Sequence, residues 1–174
     1  SLTIPKEEEG HFTTVGKVGV SCKLFGQQVA QSIKRRRKSL WFIEGEYDLL
    51  SCYEAAVESL IGTKFEGMEP FVVGLNCGTA NALDSVMSNQ EFIESFEKLI
   101  LGFDNDSATP HEKKKGILRG KEATEEVATA LLHPETYVVQ FPSEYKDPSD
   151  MLVDNKGDDL QKLFSFCTTR FVAE

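Results

Sequence analysis

The sequence predicts an α/β domain with a largely parallel, four-stranded central sheet flanked by helices on both faces. Short apolar runs at 40–43, 71–75, 99–103 and 137–141 alternate with helical patterns, and that alternation implies βαβ units. The runs are nearly continuous in apolar residues, as strands buried on both faces are. Between them, apolar residues recur at helical spacing on one side only.

In order, residues 1–14 are polar and read as a loop or the tail of a preceding domain, with Lys6-Glu7-Glu8-Glu9-Gly10. Val15–Cys22 alternates enough to be a strand, and Leu24-Phe25-Gly26-Gln27 follows as a turn. Lys34-Arg35-Arg36-Arg37-Lys38 leads into the first core strand, Leu40–Ile43, which stops at Glu44 and turns at Gly45. A helix from about Tyr47 carries Leu49/Leu50, Tyr53, Val57 and Leu60/Ile61, with Gly62 as its stop. The second strand is Phe71–Leu75, and Thr79 is placed to cap an expected helix carrying Ala80, Leu83 and Met87. A further helix, Glu91–Lys98, turns Phe92, Ile93 and Phe96 inward. Strand 99–103 ends in Asp104-Asn105-Asp106, followed by a polar insertion, Ser107–Gly120, and a helix over Lys121–Leu132. Tyr137–Phe141 is the fourth strand. Lys146-Asp147-Pro148-Ser149-Asp150 is a loop, and a last helix carries Leu160, Leu163, Phe164 and Cys167.

A chain of 174 residues is one domain, with room for a small appendage. No run approaches the ~20 apolar residues of a membrane span, so a membrane partner is not expected. No signal peptide is visible, and the missing initiator Met suggests an excised fragment. A net charge of -9 argues against a general nucleic-acid binder, though not against one whose acidic site is neutralised by cations. The four cysteines, Cys22, Cys52, Cys77 and Cys167, are far apart and lack zinc spacing. Cys52 and Cys167 read as buried thiols, which suits a reducing compartment.

Right-handed crossovers put the carboxyl ends of all parallel strands on one edge. On that edge fall Glu44, Asp48, Asn76, Asp104, Asp106 and Asp147, and in open α/β sheets sites form in the crevice beyond that edge. Alternation points Asp104 and Asp106 the same way, ~6–7 Å apart along the chain. With a third carboxylate across the sheet they make an all-oxygen site suited to Mg²⁺ or Mn²⁺. Unneutralised, two such charges 4 Å apart repel by ~4 kcal/mol at an effective dielectric of 20. A divalent ion removes that cost and suits phosphoryl transfer. A lone D-x-D or Glu-Gly turn is more often a solvated loop or cap. Here each acidic group directly follows an apolar strand, which favours the functional reading.

Phe42-Ile43-Glu44-Gly45-Glu46-Tyr47-Asp48 and Phe103-Asp104-Asn105-Asp106 resemble the two signatures of the Toprim domain, shared by bacterial-type primases, topoisomerases, OLD-type nucleases and RecR proteins. The closer resemblance is to the primase-helicases of tailed bacteriophages and the Twinkle-type helicase. Leu24-Phe25-Gly26-Gln27, Val72–Ala80, Phe92–Phe103 and Lys146-Asp147-Pro148-Ser149-Asp150 carry it, over roughly residues 15 to 165. It implies the Toprim fold over 39–174, with 1–38 the end of an N-terminal primase subdomain or a linker holding one or two strands. It implies that Glu44 is a metal ligand or general acid/base, that Asp104 and Asp106 bind Mg²⁺ or Mn²⁺, and that Asp48 and Asp147 are supporting acidic residues. Lys6, Lys17 and Lys23 are candidates for holding nucleoside triphosphates.

One departure stands out. The family has Gly three residues after the second Asp, then a basic residue opening a helix. Thr109 holds that place here, and Arg119-Gly120-Lys121-Glu122-Ala123-Thr124 is the displaced continuation.

Lys34–Lys38 precedes the first core strand and so lies at the opposite edge, where a solvated face or interdomain contact competes on equal terms with template binding. Lys113, Lys114, Lys115, Arg119 and Lys121 follow the D-x-D and are better placed to grip phosphates. The function implied is the Toprim part of a DNA primase, joining ribonucleotides on a single-stranded DNA template, with helicase and zinc-binding regions elsewhere in the polypeptide and a cytoplasmic location in a bacterial or phage-infected cell. The fragment contains no Walker-type loop and is expected to be poorly active alone. A Toprim nuclease and a non-catalytic DNA-binding scaffold are the alternatives.

Overall fold

A computed structural model describes residues 19–76, 78–116, 119–166 and 168–172. The elements are α1 (Gln27–Ser32), β1 (Ser39–Ile43), α2 (Glu46–Glu58), β2 (Val72–Gly74), α3 (Ala82–Met87), α4 (Gln90–Glu94), β3 (Lys98–Gly102), α5 (Pro110–Lys114), α6 (Gly120–Leu131), β4 (Thr136–Val139), α7 (Pro148–Val153), α8 (Gly157–Phe166) and β5 (Thr168–Arg170), with a short 3₁₀ turn at Thr79–Asn81 before α3. The sheet order is β2-β1-β3-β4-β5. The first three pairings are parallel, and β5 joins β4 antiparallel. The four expected strands thus form the parallel core, and β5 extends the sheet to five.

β1 is central and pairs in register with β3 along its whole length, from Ser39↔Lys98 to Ile43↔Gly102. Its side chains alternate between two cores. Leu40 and Phe42 join Leu99, Leu101, Val86, Ile93 and Val127 beneath α3, α4 and α6. Trp41 and Ile43 turn the other way, toward Leu49, Cys52, Met151, Leu160 and Phe164 of α2, α7 and α8. Trp41 stacks on Phe164 at 4.7 Å between centroids. This two-sided burial explains why β1 and β3 carry apolar runs without alternation.

The segment before β1 differs from expectation. Residues 15–18 lie outside the described residues, and 19–22 form a turn closed by Cys22 N–H donating to the Gly19 carbonyl at 2.9 Å, not a strand. Leu24-Phe25-Gly26-Gln27 is a turn folded across β2. Phe25 and Gly74 exchange both backbone hydrogen bonds at 3.0 Å, and the buried Gln27 side chain accepts from Leu24 N–H. Gly26 has φ 77°, and a Cβ there would stand 2.9 Å from the Val72 carbonyl, so both backbone conformation and space require glycine. Gln27 then opens α1.

The three arginines of the basic run before β1 make contacts within the fold. Arg35 covers the Phe71 ring at 4.3 Å and donates to the Glu69 carbonyl. Arg36 pairs with Glu97. Arg37 donates to Ser95 Oγ at 2.6 Å and lies 5.6 Å from the rings of Phe92 and Phe96. Cys52 is fully buried, as expected, and burial pushes its thiol well above the usual range. Cys167 and Lys17 lie outside the described residues. No helix among the described residues is long and apolar enough to cross a membrane.

Candidate active site

The order 2-1-3-4 contains one switch point. From β1 the chain leaves through α2 on one face toward β2; from β3 it leaves through α6 on the other face toward β4. The carboxyl ends of β1 and β3 are therefore neighbours whose connections diverge, and a crevice opens between them. Glu44 follows β1 directly, and Asp104 lies two residues beyond β3.

The two meet. Asp104 N–H donates to Glu44 Oε2 at 3.3 Å. Asp104 is 9% exposed, and its Oδ2 accepts from Lys146 Nζ at 2.7 Å. Its Oδ1 is buried and has no hydrogen-bond partner. Lys146 also stands 3.8 Å from Asp147 Oδ2. Asp147 caps α7, its Oδ1 accepting from Asp150 N–H at 2.9 Å. Asp48, in the first turn of α2, accepts from Ser149 N–H at 3.2 Å and Ser149 Oγ at 2.6 Å, so it pins the loop carrying Lys146 and Asp147 onto α2.

Asp106 goes elsewhere. Its Oδ1 accepts from Gly120 N–H at 2.9 Å, and its carbonyl accepts from Lys121 N–H at 3.1 Å. The Asp104-Asn105-Asp106 triplet is thus divided: Asp104 faces Lys146, Asn105 reaches the carbonyls of Phe141 and Tyr145, and Asp106 holds the start of α6. The side chains of the D-x-D pair are held by different partners beyond the end of β3 at Gly102, Asp104 by Lys146 and Asp106 by the Gly120 N–H. Among the described residues, no three carboxylate, thiol or imidazole groups converge to chelate one ion. Glu44, Asp104 and Asp106 share a rim: Glu44 meets the Asp104 N–H, while the side chains of Asp104 and Asp106 have partners of their own.

Electrostatics reflect that crowding. Burial, then the charges of Asp104 and Asp106, raises Glu44 to about 7. Burial also raises Asp48 and Asp104; for Asp104 it outweighs the opposing pull of Lys146. Lys146, more exposed, is held charged by Asp104 and rises.

The described residues of the 107–120 insertion make contacts of their own. Thr109 and Glu112 form a capping box at α5. Arg119 pairs with Glu112, and Lys113 Nζ meets Glu122 Oε1 at 2.9 Å. Ala108 N–H donates to Glu122 at 3.0 Å. The excursion closes at Gly120, which occupies the place beside Asp106 that the displaced continuation suggested. Lys114 and Lys115 are exposed. Lys121 lies on a cavity of about 550 Å³ lined also by Phe103, Asp104, Asn105, Phe141 and Phe171. Lys23 donates to Gln31, and Lys6 lies outside the described residues. Lys146, which opens the Lys146-Asp147-Pro148-Ser149-Asp150 stretch, is the residue at this rim that the sequence pattern does not single out.

Similar architecture occurs in two solved structures. One is a chain of the complex in which bacteriophage T7 lagging-strand DNA polymerase interacts with primase domains of two gp4 subunits bound to an RNA/DNA hybrid and dTTP: TM-score 0.70 and 23% identity over 94% of this chain and 69% of that one. The other is the primase fragment of the bacteriophage T7 primase-helicase: TM-score 0.65 and 24% identity over 90% of this chain. The fold is the Toprim-type fold of these primase fragments. The chain spans 54% of the second structure's length. No family model and no curated protein sequence matches.

Proposed function

We propose that the chain is the nucleotidyl-transfer unit of a DNA primase of the primase-helicase kind, joining ribonucleotides on single-stranded DNA. The carrying observation is the meeting of Glu44 and Asp104, sixty residues apart in sequence, at the switch point between β1 and β3. The fold shared with phage primase domains supports the same reading.

The side chains fit a hard divalent cation in chemistry. All are oxygen donors, and the buried, unpartnered Asp104 Oδ1 is an acceptor in need of a positive partner. Glu44 and Asp104 would hold Mg²⁺ or Mn²⁺, with Asp106 on the same rim. Such an ion, when bound, polarises phosphate oxygens and offsets the carboxylate charges.

The chain's own groups supply the rest. Without an ion Glu44 holds its proton to about 7; a bound cation would lower that value and favour the carboxylate. Asp48, through Ser149, fixes the loop that brings Lys146 to Asp104. Lys121 lies on the cavity beside the carboxylates, at a place suited to a nucleoside triphosphate. Arg119 feels the charges of Asp106 and Glu44 from the same rim. Zinc-binding and helicase regions would be supplied by other parts of the polypeptide.

The test is template-directed dinucleotide synthesis with Mg²⁺ or Mn²⁺, in the longest polypeptide that carries this chain. Glu44→Gln and Asp104→Asn are expected to lower synthesis by roughly 10²-fold or more. Metal-dependent cleavage of the template without dinucleotide product would replace synthesis with hydrolysis. Undiminished synthesis in both variants would remove these residues from the chemistry.

A further inference from the structure

Lys146 occupies a position that the carboxylates themselves do not explain. Its ammonium touches Asp104 Oδ2 at 2.7 Å and approaches Asp147 at 3.8 Å. The other oxygen of Asp104 is buried and empty-handed. One oxygen of the carboxylate is thus neutralised by a cation belonging to the chain, while the other is buried with no partner.

The rest of the loop does not depend on that ammonium. Lys146 is held through its backbone: its carbonyl accepts from Asn105 N–H at 2.7 Å, and its N–H donates to Asp150 at 3.2 Å. Ser149 is bound separately to Asp48. The Lys146 side chain is 56% exposed, against 11% for Asp104. The carboxylate is fixed, while the ammonium stands on a flexible stem and can leave for water at modest cost.

We infer that Lys146 is a resident stand-in cation, which neutralises Asp104 when no divalent ion is bound and must be displaced as an ion takes that carboxylate. It therefore sets the threshold for metal binding. This rests on the proposed metal-dependent reading of the same site. The physical ground is simple: two cations compete for one buried carboxylate, and ion-pair strength in this half-open position is modest. The lysine keeps the strand end neutralised without metal and lets only an ion that outcompetes it enter.

Three versions of the chain distinguish exchange from plain structural support: wild type, Lys146→Gln and Lys146→Arg, each titrated with Mn²⁺ by calorimetry and by paramagnetic resonance of free Mn²⁺. Gln retains a polar side chain but removes the competing charge, so its Kd for Mn²⁺ should fall roughly five- to tenfold. Arg holds a carboxylate more firmly through its planar fork, so its Kd should rise above that of wild type. Melting in EDTA supplies a second readout: Lys146→Gln should melt below wild type, and saturating Mn²⁺ should narrow the gap. A purely structural lysine gives the opposite sign, because losing it disorders the site and weakens Mn²⁺ binding. Lys146→Gln binding Mn²⁺ no more tightly than wild type overturns the exchange while leaving the metal site standing. No Mn²⁺ binding by any of the three overturns the metal-dependent reading itself, and the exchange with it.

Discussion

Glu44 carries its proton to an unusually high pH because the fold removes it from water and places Asp104 and Asp106 beside it. An unfolded chain releases that proton near 4.5, and the folded chain retains it to about 7. Between these values the folded state binds more protons, so stability falls as pH rises, and the whole penalty is present above 7. Gln at this position can still accept from Asp104 N–H but has no charge to bury. With EDTA present, Glu44→Gln should therefore be more stable than wild type at pH 8, by about 1–2 kcal/mol after allowing for solvent screening. The gap should shrink toward zero near pH 4.5. Urea denaturation at both values measures it, and a gap independent of pH would show that Glu44 is already ionised in the fold. At this scale Glu44 and Asp104 were legible because each ends an apolar run, so its position follows from strand direction alone. The Lys146 contact was not. It joins residues 42 apart, and nothing local to either one announces it.

Among the elements, α6 is the one that ties the site to the fold. Its first residue, Gly120, lies against the backbone of Asp104: an added Cβ would stand 2.1 Å from the Asp104 carbonyl oxygen and 2.8 Å from its nitrogen. The same residue donates to Asp106. Backbone cannot yield as a flexible side chain does, so Gly120→Ala must push α6 away from the strand end. We expect a loss of roughly 2–3 kcal/mol, seen as a lower urea midpoint with an unchanged slope. A variant that unfolds like wild type would mean that α6 is not seated on Asp104. The displaced Arg119-Gly120-Lys121 segment was visible in the sequence because glycine followed by a basic residue at a helix start is distinctive. The elements that escaped notice lack such marks. β5 is Thr-Thr-Arg, with no apolar run, and forms only because the edge of β4 has ladder groups to offer. α1 is one and a half turns of Gln-Gln-Val-Ala-Gln-Ser, too short for periodicity to show.

Across the whole molecule, charge is sorted by the direction of the strands. The carboxylates collect at the carboxyl ends of β1 and β3. Arg35, Arg36 and Arg37 lie at the opposite ends, where the Arg37 and Lys38 carbonyls accept from Glu97 and Lys98 N–H at the start of β3. These arginines already cover Phe71, Phe92 and Phe96 or pair with Glu97, so they belong to the fold more than to a ligand. Lys113, Lys114 and Lys115 stand on the insertion that leaves and returns to the carboxylate rim. Lys113 is engaged by Glu122, but an exposed ion pair of that kind yields readily to a phosphate. A chain of net charge -9 needs such local positive charge to hold a polyanion. Replacing Lys113, Lys114 and Lys115 together by Gln should therefore weaken single-stranded DNA binding and reduce the salt slope by up to about 2, at ~0.7 per phosphate contact. Replacing Arg35, Arg36 and Arg37 by Ala should leave that slope nearly unchanged and lower the melting temperature by roughly 3–8 °C, since lost ring and ion-pair contacts are worth several tenths to one kcal/mol each. Binding isotherms over a salt series, read beside melting curves, separate the two. Equal losses of slope in both variants would mean that the strand ends do not divide the molecule into a substrate rim and a structural one.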